Sequence, residues 1–133
     1  MKGQSSIEYM ILFGLALLII GTLWVYTTRN VSYTRLELEI SQAKNALDKI
    51  SNAVKIVSIQ GPPAQTYVYP TFPKNIQNIT LNQTKIELIL KQKGTLRRMS
   101  RHFVTNISGN VRAIPGNRKI LVKAKNKEVL IDG

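Results

Sequence analysis

Cysteine is absent from this chain, histidine occurs once, at His102, and only seven Asp or Glu residues stand against nineteen Lys or Arg. Without thiols there is no disulfide framework and no cysteine metal site, although a thiol-free chain is compatible with either redox compartment. A zinc site needs three or four ligands, and acid–base catalysis needs a tuned titratable group with a partner. After Gly61 the chain offers only Glu87, Glu128 and Asp132 beside His102, too few for either. Neither a G-x-S-x-G elbow nor a phosphate-binding glycine loop occurs. The inventory argues against an enzyme, and no cofactor or metal is expected.

Helix breakers are equally scarce in the first half. All five prolines fall at or after Pro62, and between Gln4 and Gln60 the only glycines are Gly14 and Gly21. Tyr9 to Thr28 carries no charge over about twenty residues, which at helical rise is roughly 30 Å, the thickness of a bilayer hydrocarbon core. Past Arg29 the pattern turns amphipathic. Leu36, Ile40, Ala43, Leu47, Ile50, Val54 and Val57 recur at alternating spacings of four and three, a heptad stripe, with Arg35, Glu39, Lys44, Asp48, Lys49 and Lys55 largely off it. One helix is therefore expected over residues 4–59, roughly 80 Å long, with a loosening permitted at Thr27–Asn30. Its second half needs a partner for one stripe, either the C-terminal domain of the same chain or a coiled-coil neighbour.

Gly61-Pro62-Pro63 stops the helix, because two backbone donors are lost and helical geometry is disfavoured before the first proline. Beyond it the period changes to two. Ile86, Leu88 and Leu90 alternate with Lys85, Glu87, Ile89 and Lys91, and Ile120, Val122 and Ala124 alternate with Lys119, Leu121, Lys123 and Lys125, the signature of half-buried strands. Shorter strands are expected at 66–69, 76–81, 103–106, 110–113 and 129–132. Turn signals separate them at 69–73, 82–83, 93–94, 108–109, 115–117 and 126. The expected class is α+β: a long N-terminal helix, then a small antiparallel sheet or sandwich over 60–133. About seventy residues make a modest core with no staple, one that leans on the helix, on neighbouring subunits, or on both.

The front edge of the apolar run is unlike a secretory signal, which places its cleavage site after a 7–15-residue apolar stretch. Here the run is longer, and Thr27-Thr28-Arg29 is a poor small-residue site. The segment Lys2-Gly3-Gln4-Ser5-Ser6-Ile7-Glu8-Tyr9 resembles the class III signal peptide of archaeal type IV pilin-like proteins, and the resemblance extends over roughly residues 2–26. It implies that a prepilin peptidase cuts between Gly3 and Gln4. Residues 1–3 are then a leader, the apolar helix with its span at about 9–28 is retained, and Glu8 becomes the fifth residue of the mature chain. It further implies a membrane-held subunit, with its C-terminal domain outside, that joins copies of itself or other pilins in a surface filament serving adhesion, motility or DNA handling.

Glu8 is costly to bury in an apolar setting without a partner. The α-amine freed at Gln4 lies one turn away on the same chain and within reach of a neighbour's Glu8; alternatively Glu8 sits at headgroup level or favours the helix N-terminus. Gly14 and Gly21, seven residues apart, share a helix face where another helix can approach closely, unless they are simply tolerated there, as glycine is in membrane helices.

The formal charge is +12; loss of Lys2 with the leader leaves 18 cations against 7 carboxylates, or +11. From Lys91 to Lys127 there are eleven Lys or Arg and no Asp or Glu. Lys91, Lys93, Arg97, Arg98 and Arg101 form a candidate patch for an anionic partner such as a membrane surface, a cell-surface polymer or nucleic acid, or else a solvated surface. One aromatic, Phe103, interleaves the run, too few for a base-stacking platform. Sequons at Asn30, Asn78, Asn82 and Asn106 are candidate N-glycosylation sites, Asn82 foremost because it lies in a turn. The positive-inside count, with Met1 and Lys2 on one side and Arg29, Arg35 and Lys44 on the other, points the domain inward and opposes the signal-peptide reading. Glu37, Glu39 and the long following domain weaken that count. The competing function is a single-pass membrane-anchored protein whose basic β domain binds an anionic partner without polymerising.

Overall fold

The computed structural model of the chain describes residues 2–133. One helix, α1, covers Lys2–Gln60 and continues through Thr27–Asn30. The hydroxyls there bond back along the helix instead of competing with it, with Thr27 Oγ1 donating to the Leu23 carbonyl at 2.8 Å and Thr28 Oγ1 to Val25 at 3.0 Å. Gly61 ends α1 in the left-handed region, φ +68°, its N–H donating to the Val57 carbonyl at 3.0 Å. This is the glycine cap that satisfies an orphan carbonyl without a Cβ clash.

Nine strands follow: β1 Gln65–Val68, β2 Thr71–Phe72, β3 Ile76–Asn82, β4 Lys85–Gln92, β5 Thr95–His102, β6 Asn106–Asn110, β7 Gly116–Asn117, β8 Ile120–Ala124 and β9 Glu128–Asp132. They form a four-stranded sheet in the order β1-β8-β9-β6, a three-stranded sheet β3-β4-β5, and the short pair β2-β7. The β4–β5 turn, Lys93-Gly94, has φ +47° and +80°, the double positive φ of the primed turn that matches strand twist.

The chain divides into two compact units between Glu37 and Leu38. The second half of α1 thus belongs with the β elements, and the domain boundary falls inside the helix rather than at its end near residue 60. Ala43, Leu47, Ile50, Val54 and Val57 of the stripe, with Ala46 and Ala53, are buried in one cluster with Ile86, Leu88 and Leu90 of β4, Ile120 and Val122 of β8, and Val129 and Ile131 of β9. The stripe's partner is the chain's own β domain. Each large side chain so buried stabilises by about 1.5–3 kcal/mol. Asn75 adds a polar tie, its Nδ2 donating to Glu39 Oε2 of α1 at 2.9 Å and to the Lys91 carbonyl at 3.2 Å.

Several strands differ from the sequence expectation. Residues 95–102, read as a basic run, form β5. The strand expected at 103–106 begins only at Asn106, and 110–113 is not a strand beyond Asn110. Gly116-Asn117, read as turn, pairs with Thr71-Phe72, and Thr71 Oγ1 donates to Asn117 Oδ1. The sheets are not wholly antiparallel, since β6 runs parallel to β9. Gly109, read as a turn residue, lies inside β6 with φ +119°, where an added Cβ would come within 1.9 Å of the Ile131 carbonyl oxygen. That close backbone approach is why a glycine interrupts the strand.

Candidate membrane segment and basic surfaces

None of the described side chains of the first unit is buried. Residues 3–35 are exposed throughout, among them Phe13 at 68% and Trp24 at 72%. A helix apolar on every side has no water-facing stripe, and its length and composition suffice to cross a membrane. The threonine hydroxyls of the apolar run bond back to the helix. Thr22 Oγ1 donates to the Ile19 carbonyl at 2.8 Å, and Thr27 and Thr28 bond as described, which removes the cost of a bare donor in hydrocarbon.

Gly3 and Gln4 lie in α1 and are exposed; Met1 and the side chain of Lys2, the rest of the expected leader signal, lie outside the described residues. Gln4 and Glu8 are four residues apart and share a helix face. Glu8 is exposed at the edge of the apolar run. A Cβ at Gly14 or Gly21 would meet nothing within 4 Å, so each leaves a depression among larger neighbours, Tyr9 and Phe13 around the first, Leu18 and Val25 around the second.

The exposed face of α1 within the second unit carries a further heptad series that sequence reading missed: Leu38, Gln42, Asn45, Lys49, Asn52, Ile56 and Ile59, all exposed. It lies two residues out of step with the buried stripe, about 200° around the helix. Spacing alone could have revealed it, but its amides and lysine break the apolar signal.

The expected anionic-partner patch is divided by strand geometry. In the β4–β5 register Arg97 and Arg101 pair with Leu90 and Ile86, whereas Arg98 pairs with Ile89, so Arg97 and Arg101 share the inner face and Arg98 takes the outer one. Arg101 donates from Nε and Nη2 to Asp48 Oδ1 of α1 at 3.1 and 2.9 Å. Arg98 Nη1 lies 3.6 Å and Lys85 Nζ 3.1 Å from Glu87. Lys91 and Lys93 flank the hairpin tip. The patch thus spans the end of β4, the turn and the edge strand β5 and is partly neutralised, rather than forming one cationic face.

Asn30 is exposed on α1, Asn78 on β3, with Ile79 N–H donating to its Oδ1 at 2.9 Å. Asn82 ends β3 and Asn106 opens β6, beside the same turn, since Ile107 N–H donates to the Gln83 carbonyl at 2.6 Å. Unexpected from sequence is a concavity of about 630 Å³ between Pro62-Pro63 and the β8–β9 turn, rimmed by Lys123, Lys125 and Lys127. The alternation of lysines at 123 and 125 before the turn at Asn126 was its only trace in the sequence. Tyr67, exposed on β1, holds the Lys119 ammonium 4.2 Å above its ring.

No protein-family model, no curated protein and no solved structure matches this chain.

Proposed function

We propose that the chain is a pilin-like structural subunit of an archaeal type IV surface filament, made with a three-residue leader, cut before Gln4, held in the membrane by the retained helix and then assembled through it with other subunits. The observation that carries this is the exposure of the helix over residues 3–35, with the uncharged run from Tyr9 to Thr28 directly behind the carboxylate of Glu8, while the same helix forms the spine of the domain core from Ala43 to Val57. A surface that is apolar all round is suited first to lipid and then to a bundle of like helices. Assembly exchanges one apolar environment for another and draws on close packing, for which Gly14 and Gly21 leave room. The exposed Leu38–Ile59 series offers further helix surface beyond the span. An amine at Gln4 paired with Glu8 of a neighbouring chain neutralises both charges and fixes axial register.

Electron microscopy of material sheared from cells tests this. Filaments containing the chain, lost on Glu8→Ala while the protein remains in the membrane, are the expected result. Absence of filaments, or filaments indifferent to Glu8→Ala, sinks the proposal in favour of a membrane-anchored monomer whose basic domain acts alone.

A further inference from the structure

We propose that the concavity between the Pro62-Pro63 corner and the β8–β9 turn binds acidic polysaccharide, a sugar chain bearing carboxylate or sulfate groups. The site is built by the core. Burial of Ile120, Val122 and Ala124 turns Lys123 outward from β8. The Lys125 N–H donates to the Glu128 carbonyl at 2.8 Å and closes a tight turn that holds Lys125 at its start and Lys127 at its corner. The Ala124 N–H donates to the Ala64 carbonyl at 2.8 Å, which draws the Pro62-Pro63 corner against the end of β8. Two proline rings behind a left-handed glycine leave that wall little freedom, so it costs little ordering entropy on binding.

Three lysines, Lys123, Lys125 and Lys127, and one acidic residue, Glu128, line the concavity. None of the three lysines forms an ion pair among the described residues, in contrast to Lys85, Arg98 and Arg101. Their charge is therefore free for a ligand. The volume, about 630 Å³, falls within the about 300–1,000 Å³ of ligand clefts. Lysines act as point charges that accept single, irregularly spaced anions, whereas the bidentate fork suited to phosphate belongs to arginine. No aromatic side chain lines the concavity to stack a nucleobase. Apolar proline faces and the Asn126 amide instead suit a sugar ring, with its C–H surface and its hydroxyls. The inference does not depend on filament assembly, because the site belongs wholly to the second unit and is complete in one chain.

The full chain in detergent micelles, applied to immobilised polygalacturonate with neutral dextran and a twenty-residue oligo-dT as comparisons, provides the test. Binding to polygalacturonate but not dextran is expected, weakened roughly tenfold or more by K123Q/K125Q/K127Q, with the log–log salt slope falling by about two to three as the released counterions are lost. The control K44Q/K55Q/K74Q removes the same charge from exposed positions elsewhere and is expected to change affinity less than about twofold, with a slope change below about one. Equal losses in the two triple variants would show diffuse charge attraction and overturn the proposal. So would no binding to polygalacturonate, or binding of oligo-dT as tight as polygalacturonate at equal salt.

Discussion

Two stretches of one helix, 3–35 and 43–57, have the same backbone and opposite surroundings. In the first, Phe13 and Trp24 are mostly exposed; in the second, Leu47 and Ile50 are at 1% and 0%. The difference lies in how apolar residues are arranged around the helix. Spread around the whole circumference they call for lipid or other chains, whereas confined to a heptad stripe they call for one partner, which here is the β domain. The long helix is therefore two structural tools joined end to end, and a substitution should act according to the half it falls in.

The same truncation in each half separates them most. Ile50→Ala is expected to lower the unfolding free energy of the β domain by about 2–5 kcal/mol, read by denaturant titration in detergent. Ile19→Ala should move it by less than about 0.5 kcal/mol. Equal effects would erase the distinction. A charge in the first half should act on the membrane instead: Leu15→Arg opposes insertion by about 2.5–3.5 kcal/mol, visible as loss from the membrane fraction with the domain's unfolding midpoint unchanged. An undiminished membrane fraction would contradict the role given to residues 9–28.

The glycines follow the same division. Gly109→Ala, against the Ile131 backbone, should destabilise the domain by about 1–3 kcal/mol through strain at positive φ, and thermal unfolding would detect it. Gly14→Ala should leave that transition in place. The smallest effect belongs to the Arg101–Asp48 pair, whose side chains are 42% and 51% exposed. Arg101→Gln should cost less than about 1 kcal/mol because water screens the pair, and raised salt should shrink the difference further.

What could be read from the sequence follows the same physics. Period and breakers are local, so the helix, its end at Gly61 and the alternating strands at 85–91 and 120–124 were visible. The stripe was visible too, but not its partner, because a heptad pattern does not say which surface covers it. Strand β5 was hidden because its inner-face positions are Arg97, Met99 and Arg101. At the edge of a sheet, arginines can reach the rim or pair with Asp48, so no apolar alternation is required. Gly109 read as a turn because its real cause, the parallel β9 backbone at contact distance, is 22 residues away in sequence. The lysine-rimmed concavity left only the lysine alternation at 123 and 125 in the sequence, for the same reason: it joins Pro62-Pro63 to a turn some sixty residues later, and no local window holds both.

On the reading proposed above, the first half of the helix lies in lipid and then among other subunits, and both stages depend on how the chain begins once processed. Mass spectrometry of the intact protein from membranes and from sheared surface material measures that start directly. A mature chain beginning at Gln4, with the apolar helix retained, is the predicted result; one beginning at Met1, or cut after Thr28 so that the helix is lost, would contradict the account.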